Sequence, residues 1–441
     1  MDSEQLSLEI INTLRSHGHE AYWAGGCVRD RLLGIAAKDY DVATDATPEN
    51  LLRYFPDAIR VGAQFGVVLV RRDCVDVQVA TFRSDHDYRD GRRPEGVTFT
   101  RNAKEDVGRR DFTINGILFD PVGKKYLDYV EGRADLTDRC IRAIGDPHKR
   151  FAEDKLRMLR AIRFAARLGF EIEAATFEAI QKQAPTIRQI SVERIRDEIS
   201  RILCEGGARR GFELLHETGL LKVILPEVSA LKGVEQSPQH HPEGDVWTHT
   251  LIMLDKLQNP TVTLALGTLL HDIGKPATFE RSPERIRFNG HVEVGMKMAE
   301  AICRRLRYPG EVTEQVLALV ANHMRFIHVP EMRQSTLKKF LRMPHFEEHL
   351  ELHRLDCLGS HGKLRLYDMA RAKLAALPEE ELSPPRLLTG NDLIAAGYAP
   401  GPLFQEMLGD VEDAQLEGRI ATRQEAMEYV ESRWPNKKRE A

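Results

Sequence analysis

The sequence predicts an α+β protein, in which a small sheet-containing N-terminal region precedes a longer region made almost entirely of helices. Short β-rich runs such as "GVVLVRR" and "DVQVATF" alternate with turn residues between about residues 5 and 135. From about residue 137, apolar residues recur every three or four positions, which is typical of amphipathic helices. A chain of 441 residues, 42% of them hydrophobic, is also too long for one ordinary core.

Changes in composition divide the chain into four predicted domains. Residues 1–136 form the mixed sheet with its helices, and residues 137–225 form a helical body. After the connector "LPEVSALKGVEQSPQHHPEGD", residues 226–380 form a second helical domain that carries most of the sixteen histidines. Residues 381–441 form a helical tail that ends in the charged run "RWPNKKREA".

The overall charge limits the classes of partner. Lys and Arg total 63 against 67 Asp and Glu, a net charge of -4, so any surface that binds nucleic acid must be local. The N-terminus is acidic where a secretory signal would be basic, and the longest apolar run is too short to cross a bilayer. We therefore predict a cytoplasmic protein with no membrane partner. Six scattered cysteines without a CxxC pair argue against structural zinc and disulfides.

The stretch "KDYDVATD" places Asp39 and Asp41 one residue apart in a predicted strand, so both carboxylates would point to one face. Two like charges this close raise each other's pKa unless a cation lies between them. Mg²⁺ is commonly held by one or two carboxylates plus substrate phosphates, which indicates phosphoryl or nucleotidyl transfer. The alternative is a chance pair at a solvated strand end.

Just upstream, "AGGCVRDRLLG" contains Gly25 and Gly26 before a predicted helix that begins around residue 27. Glycines there let backbone N–H groups approach phosphate oxygens, and Arg29 can add a charged contact. The pattern is neither GxGxxG nor a Walker A loop, which disfavours dinucleotide and P-loop chemistry. The alternative is a glycine turn that caps a packed helix.

Further along, "EDVGRRDFTINGILFD" places Arg109, Arg110, Asp111 and Asn115 within seven residues. Two adjacent guanidiniums are unfavourable unless an anion or carboxylates compensate, and a triphosphate is such an anion. Asp111 could accept a hydrogen bond from a ribose hydroxyl. The alternative is a solvated charge cluster at a helix start.

Together, "GGCVRD", "KDYDVATDATPE" and "RRDFTIN" resemble the class II tRNA nucleotidyltransferase and bacterial poly(A) polymerase family over roughly the first half of the chain. The resemblance implies a polymerase-β-like nucleotidyltransferase head. It assigns catalytic Mg²⁺ to Asp39 and Asp41, triphosphate contacts to Gly25, Gly26 and Arg29, and sugar and phosphate contacts to Arg110, Asp111 and Asn115.

One position departs from the family pattern. The family usually has a third carboxylate in a stretch like "EVATFR", whereas this chain has "QVATFR" with Gln78 in its place. An amide lacks the charge to help hold two metal ions. Asp76, two residues away on the same strand face, is a candidate substitute.

Residues 139–170 contain nine Lys or Arg against three Asp or Glu, a local basic patch that suits an RNA backbone or a triphosphate. The resemblance places Glu153, Asp154 and Arg157 in the family's EDxxR motif. There, Asp154 and Arg157 would read the edge of the incoming base and select CTP and then ATP, with Arg160 as a further nucleotide contact. The alternative is a solvated helix with i,i+4 ion pairs such as Glu153–Arg157.

Between the strand and the Arg-Arg-Asp motif, "RSDHDYRDGRRPEGVTF" is predicted to be a mobile loop. In the resembled family, enzymes that add only two cytidines have a shortened loop here. The loop of this chain is full length, which favours addition of the complete CCA sequence.

The histidine-rich region resembles the HD phosphohydrolase superfamily, in which His and Asp bind one or two divalent metals and activate water. The matching segments are "WTHTL", "LLHDIGKP", "NGHVEVG", "ANHMR" and "RLDCLG", all predicted to be helical. Lys275 could hold a phosphate. The expected ligands are His249, His271, Asp272, His291, His323 and Asp356.

The sequence therefore predicts a CCA tRNA nucleotidyltransferase that uses CTP, ATP and Mg²⁺ and is fused to an all-α HD domain with a second divalent metal. Within the same class, a poly(A) polymerase or a CC-adding enzyme is the alternative. Because of Gln78, an HD phosphohydrolase with an inactive, RNA-binding head also stays open, as does a non-catalytic RNA-binding scaffold.

Overall fold

The computed structural model describes residues 1–62, 66–88, 94–237, 241–283 and 285–435. Two compact units make up the chain. The first comprises Met1–Ala230 with Arg304–Tyr308, and the second comprises Leu231–Cys303 with Pro309–Ala441. The boundaries of the four predicted domains stay predictions.

The first unit contains nearly all of the β-structure. The strands are β1 (Ala21–Ala24), β2 (Asp41–Thr44), β3 (Ile59–Gly62), β4 (Val67–Arg72), β5 (Val75–Thr81), β6 (Arg83–Tyr88), β7 (Pro94–Phe99), β8 (Ile117–Asp120), β9 (Lys125–Asp128), β10 (Cys140–Ile141), β11 (Glu171–Ile172), β12 (Glu280–Arg281) and β13 (Ile286–Arg287). Of these, β12 and β13 form a small hairpin in the second unit.

Helices pack around the sheet and then dominate the chain. In the first unit they are α1 (Ser3–Ser16), α2 (Gly26–Leu32), α3 (Pro48–Tyr54), α4 (Ala103–Gly108), α5 (Gly132–Thr137), α6 (Pro147–Glu153), α7 (Leu156–Leu168), α8 (Ala174–Gln183), α9 (Val192–Cys204), α10 (Ala208–Glu217), α11 (Leu220–Ile224) and α12 (Pro226–Ser229). Short 3₁₀ helices span Thr113–Asn115 and Ala184–Gln189.

The helices continue into the second unit, where a 3₁₀ turn, Pro276–Thr278, and a longer 3₁₀ helix, His323–Glu331, connect them. They are α13 (Val246–Asp255), α14 (Val262–Leu270), α15 (His291–Arg305), α16 (Gly310–Asn322), α17 (Gln334–Leu341), α18 (Phe346–Gly359), α19 (Arg365–Ala376), α20 (Glu379–Leu382), α21 (Gly390–Ala395), α22 (Pro402–Leu416) and α23 (Arg423–Arg433). The predicted α+β class, with a mixed-sheet head and a helical remainder, is confirmed.

The head is a seven-stranded sheet in the order β3-β4-β5-β2-β1-β8-β9. Strands β2 and β5 run parallel, and the other neighbouring pairs run antiparallel. Residues Val42 to Thr44 of β2 are buried at the middle of the sheet, because apolar and small side chains there face covered surfaces on both sides. The start of β2 therefore lies at the edge of the packed core.

The strand predicted to contain both aspartates is shorter than expected. The ladder with β1 ends at the pair Ala24–Asp41, because the next residue, Gly25, has a φ of +75° and turns the chain into α2. Asp39 therefore has no strand partner and precedes β2, while Asp41 is its first residue.

The charged segment predicted to be a loop contains two paired strands. Strands β6 and β7 form an antiparallel ribbon that begins at the pair Arg83–Phe99. The loop prediction is wrong for these residues because their backbone groups hydrogen-bond across the ribbon. The tip, residues 89–93, lies outside the described residues.

The second unit packs its helices around several apolar clusters. One cluster joins α13, α14, α16 and α18 through Met253, Leu264, Leu319, Leu352 and Leu355. These helices carry or border most of the predicted histidine ligands, so their packing fixes the distances between ligands. Of the helices that the structure describes, none combines the length and the apolar character needed to cross a membrane.

Candidate active site and metal centre

Asp39 and Asp41, here called the carboxylate pair, lie at the open end of β2, and both residues are exposed. Within the described residues, no side chain hydrogen-bonds or ion-pairs with either carboxylate. Protein atoms exclude part of the hydration of the Asp41 carboxyl, which raises its pKa; Arg110 opposes this shift and Asp39 adds to it. The carboxylate pair thus lacks a permanent positive partner, which suits a divalent cation.

Gln78 lies beside the carboxylate pair. Strands β2 and β5 pair Val42 with Val79, and one step back along both strands the same register sets Gln78 next to Asp41. Asp76 forms an ion pair with Arg71, with oxygen–nitrogen distances of 2.5 and 2.7 Å. In this register Gln78 is therefore closer to Asp41 than Asp76 is. The carboxylate of Asp76 already has Arg71 as its partner.

The glycine turn lies against two guanidinium groups. A Cβ atom built on Gly25 would be 3.8 Å from Nη1 of Arg110, and one built on Gly26 would be 3.6 Å from Nη2 of Arg29. The Arg29 side chain is buried; its Nη1 donates to Oδ1 of Asn115 (2.9 Å) and its Nε to Asp30 (2.8 Å). Arg29 therefore ties the turn to the Asn115 segment, and Arg110 is the more accessible cation.

A carboxylate that the sequence analysis did not single out compensates the adjacent arginines. Asp106 is 1% exposed, and its two oxygens accept from Arg109 (2.6 Å) and Arg110 (3.0 Å). Its pKa is lowered because the two guanidiniums outweigh the effect of burial. The spacing of three and four residues on one helix would have identified this carboxylate from the sequence.

Asp111 is held on both of its oxygens. Oδ2 accepts from Nε (2.8 Å) and Nη2 (2.5 Å) of Arg160, and Oδ1 accepts from Nδ2 of Asn115 (3.1 Å). Burial raises its pKa, but Arg160 outweighs burial and brings the pKa to about 2. Asp111, Asn115, Arg160 and Arg29 thus form one hydrogen-bonded network beneath the glycine turn.

The predicted helix through "RFAEDKLRML" is interrupted at Asp154, which has extended backbone angles between α6 and α7. The interruption forms because Oδ1 of Asp154 accepts from the backbone N–H of Leu156 (3.1 Å) at the start of α7. Its Oδ2 accepts from Arg194 (3.0 Å), a residue of α9. Asp154 therefore joins α7 to α9 rather than continuing a single helix.

Arg157 is buried against main-chain and side-chain oxygens. It donates to Glu153 (2.9 Å) and to the carbonyl oxygens of Arg150 (3.2 Å) and Arg109 (2.8 Å). The i,i+4 ion pair that the sequence offered as the alternative therefore forms. The bond to Arg109 joins α7 to the Arg-Arg-Asp segment.

Arginines of α7 that belong to the basic patch predicted for residues 139–170 pair with carboxylates of the same unit. Arg163 is 2% exposed and pairs with Glu198 (2.7 Å) and Glu205 (3.2 Å), while Arg160 pairs with Asp111. The physical reason is that α7 packs against α9, which supplies carboxylates from a distant part of the sequence. Most of this positive charge is neutralised inside the unit.

The six predicted ligands of the second unit lie together and are here called the histidine centre: His249, His271, Asp272, His291, His323 and Asp356. His249 and Asp356 lie within helices, whereas the other four lie at helix ends. At the end of α14, Nδ1 of His271 lies 3.0 Å from the carbonyl oxygen of Thr268, three residues back. Carbonyl groups of the last turn have no helical partner, so the ring nitrogen can donate to them.

All four imidazoles have an acceptor beside Nδ1. His291 uses the carbonyl oxygen of Phe288 (2.9 Å), His323 that of Val320 (2.7 Å), and His249 a carboxylate oxygen of Glu243 (2.8 Å). A proton on each Nδ1 leaves a lone pair on each Nε2.

These Nε2 atoms converge on one another and on the two carboxylates. Nε2 of His249 lies 3.2 Å from Asp356, Nε2 of His271 lies 3.1 Å from Asp272, and the Nε2 atoms of His291 and His323 are 3.4 Å apart. Lone pairs and carboxylates that face one another repel unless cations lie between them. The residues therefore fit divalent metal binding, with ligand atoms grouped around Asp272 and His249.

The pKa values of His249, His323 and Asp272 are shifted by burial and by the charged groups around them. Burial lowers the pKa of His249, but hydrogen bonds with Asp356 and Glu243 outweigh it and raise the pKa to about 9. Burial and His271 lower the pKa of His323 to about 4. Burial raises the pKa of Asp272, but His271 and Lys275 outweigh it and hold the pKa well below the usual range. A proton on His249 thus occupies the place that a cation would take.

Three protein families match the chain in the order that the sequence predicted. Residues 21–142 match the poly A polymerase head domain, and residues 169–232 match the probable RNA and SrmB-binding site of polymerase A. Residues 245–351 match the HD domain, so Asp356 lies just beyond the matched part.

Relatives named CCA-adding enzyme match both part and nearly all of the chain. The enzyme of Geobacillus stearothermophilus is 46% identical over 216 residues, which are 49% of this chain. The match spans about half of that relative's length (53%). The enzyme of Leuconostoc mesenteroides subsp. mesenteroides is 31% identical over 429 residues, 97% of this chain and 96% of the relative.

Solved structures show the same fold. The Bacillus stearothermophilus CCA-adding enzyme in complex with CTP matches with a TM-score of 0.75 and 29% identity, over 97% of this chain and 98% of that chain. The Thermotoga maritima CCA-adding enzyme complexed with tRNA, at 18% identity and a TM-score of 0.57, supports the fold alone. Because the similarity to the Leuconostoc enzyme runs through nearly both whole chains, this chain belongs to the CCA-adding enzyme family.

Proposed function

We propose that the protein adds C, C and A to the 3' end of tRNA, using CTP and ATP and releasing pyrophosphate. Family membership over nearly the whole chain is the observation that carries the proposal. The likeness to a solved relative that holds CTP supports the nucleotide substrates. A cytoplasmic location stays a prediction.

The reaction forms a bond between the 3'-hydroxyl oxygen of tRNA and the α-phosphorus of the nucleotide, and it breaks the bond to pyrophosphate. Mg²⁺ held by Asp39 and Asp41 would supply positive charge to the reacting oxygens. The carboxylate pair is exposed, so both substrates would approach it from solvent.

The other predicted residues divide into three roles in this proposal. Gly25, Gly26 and Arg110 face the triphosphate, because the glycine turn lies against the partly accessible Arg110 guanidinium. Arg29, Asp111, Asn115 and Arg160 hold that turn through their network, and Asp154 and Arg157 present the edge that selects the base. The bonds of Asp154 and Arg157 to α9 and to the Arg-Arg-Asp segment support that role by fixing their positions.

We also propose that the histidine centre holds a resident divalent metal and hydrolyses phosphoesters, as a second activity. The four Nε2 lone pairs that face Asp272 and Asp356 favour this candidate. A bound metal would supply an activated water, and Lys275, 2.6 Å from Asp272, lies where it can contact a phosphate.

An incorporation assay tests the first proposal. The protein is incubated with tRNA that lacks its 3' CCA, with CTP alone, ATP alone and both. We expect two additions with CTP alone and one further addition when ATP is also present. Unlimited ATP addition without CTP would instead identify a poly(A) polymerase, and a stop after two cytidines would identify a CC-adding enzyme. No incorporation with phosphoesterase activity retained would favour an inactive, RNA-binding head.

A further inference from the structure

His249 differs from the other three imidazoles of the histidine centre in how its Nδ1 is held. His271, His291 and His323 use main-chain carbonyl oxygens, which no substitution of one side chain removes. His249 lies against the side chain of Glu243, with a distance of 2.8 Å between Nδ1 and Oε1. The orientation of this one ligand therefore depends on a single replaceable carboxylate.

Glu243 is built into the unit rather than exposed to solvent. Its side chain is 6% exposed, and the same oxygen also lies 2.9 Å from Nδ1 of His241. Its other oxygen, Oε2, is buried and makes no hydrogen bond with a described residue. Two imidazole nitrogens on one oxygen hold this carboxylate in a fixed position.

The Nδ1–Cε1 edge of the His249 ring is also confined by the main chain. A Cβ atom built on Gly359 would be 3.3 Å from Cε1 and 3.4 Å from Nδ1 of His249. The ring is therefore held by the Gly359 backbone and by Glu243 at Nδ1. In this position Nε2 faces Asp356 at 3.2 Å.

We propose that Glu243 is a positioning residue of the histidine centre. It accepts the Nδ1 proton of His249 and so keeps the Nε2 lone pair directed at the metal and Asp356. A carboxylate behind a histidine ligand fixes the tautomer, orients the ring and raises its basicity. The inference rests on the proposed metal centre of the second unit, and it is independent of the proposed CCA addition.

Manganese binding by the full-length protein tests the proposal. Titration calorimetry and metal content after gel filtration are measured in an Asp39→Ala, Asp41→Ala parent, so that the carboxylate pair does not contribute. We expect Glu243→Ala to weaken Mn²⁺ binding about 10- to 100-fold. Glu243→Gln keeps an oxygen acceptor and restores most of the affinity. The matched control is Glu347→Ala, which removes an exposed carboxylate of α18 and leaves the affinity unchanged.

Asp272→Asn separates the two possible failures. If the parent binds no more Mn²⁺ than Asp272→Asn, the metal centre itself is wrong. If the parent binds Mn²⁺, Asp272→Asn loses it and Glu243→Ala equals Glu347→Ala, the role of Glu243 alone is overturned. Should Glu243→Ala not fold, Glu243→Met keeps the volume without an acceptor. Full affinity in Glu243→Met would then overturn the role, and a loss rescued only by Glu243→Gln would support it.

Discussion

The carboxylate pair and the histidine centre, the two proposed cation sites, differ in exposure and in how their side chains are held. Asp39 and Asp41 are exposed and have no ion-pair partner among the described side chains. The side chains of His249, His271 and Asp272 are at most 4% exposed, and their neighbours already fix ring orientation. The difference agrees with the two proposals, in which a cation would arrive and leave with a triphosphate at the first site and stay bound at the second.

Asp41→Ala is expected to have the largest effect, and that effect should be confined to the carboxylate pair. Loss of this carboxylate removes half of the carboxylate pair, and we expect CTP incorporation into truncated tRNA to fall on the order of a thousandfold. Metal content of the second unit should not change. Asp57→Ala, which removes an exposed carboxylate of the same unit, is the matched control and should keep full incorporation. Incorporation that survives Asp41→Ala would show that the assigned site is wrong.

The converse substitution is Asp272→Asn. Asp272 belongs to two groups of closely spaced ligand atoms, one with His249 and His271 and one with His291 and His323. We therefore expect Asp272→Asn to lose the resident metal, with affinity reduced at least about 100-fold. CTP incorporation should stay within a few-fold of the unchanged protein, since the carboxylate pair lies in the other unit. Metal content after chelation and gel filtration measures the first effect. Equal loss of incorporation would mean that the two sites are not independent.

Asp106→Asn tests how the cations near the carboxylate pair are neutralised. The change removes the buried charge that holds both Arg109 and Arg110, so we expect a loss of about 3 kcal/mol in the free energy of unfolding. Urea unfolding of the first unit measures it. Asp76→Asn, which breaks only the exposed pair with Arg71, should lower the free energy of unfolding far less, because solvent screens that pair. Similar losses in both variants would contradict a structural role for Asp106.

Gln78→Glu makes the carboxylate pair resemble the family pattern more closely. A third carboxylate beside Asp41 adds negative charge to the site, so we expect the Mg²⁺ concentration for half-maximal incorporation to fall several-fold. A magnesium titration of the incorporation assay measures the change. An unchanged or higher magnesium requirement would show that the amide does not limit metal binding.

His349 is a buried imidazole that lies outside the histidine centre and, unlike the four imidazoles of that centre, has no acceptor beside Nδ1 among the described residues. Both of its nitrogens are buried without a hydrogen bond to any residue that the structure describes. Burial lowers its pKa to about 4, against the opposing effect of Glu348. The unfolded chain, with a pKa near 6.5, binds more protons between these values, so stability falls as the pH drops through this window. We expect a loss of about 1–2 kcal/mol between pH 7 and pH 5 that is reduced in His349→Leu. Denaturant midpoints at both pH values measure it, and equal losses in the two proteins would contradict the assignment.

The sequence predicted the family and the fold class better than the contacts of individual side chains. The residue types and order of the motifs led to the correct family, and the α+β class was confirmed. Periodicity identifies which side of a helix is polar but not which element covers it, so the burial of arginines from the predicted basic patch in ion pairs was not foreseen. Arg163 faces Glu198, a residue 35 positions away. The continuous strand through Asp39 and the continuous helix through Asp154 failed where one turn or cap ends an element.

Periodicity and residue type, both local properties, were sufficient for the amphipathic stripe of α7 and for the paired aspartates. The resemblance to the HD superfamily selected the six residues that the fold brings together as the histidine centre. A helix or a strand follows from interactions between residues a few positions apart, and these can be read directly from the chain. Tertiary packing alone decided that Arg29 would bind Asn115, that Arg160 would bind Asp111 and that Glu243 would orient His249. A buried polar group takes whichever partner the fold brings within hydrogen-bonding distance, and for Arg29 that partner is 86 residues away.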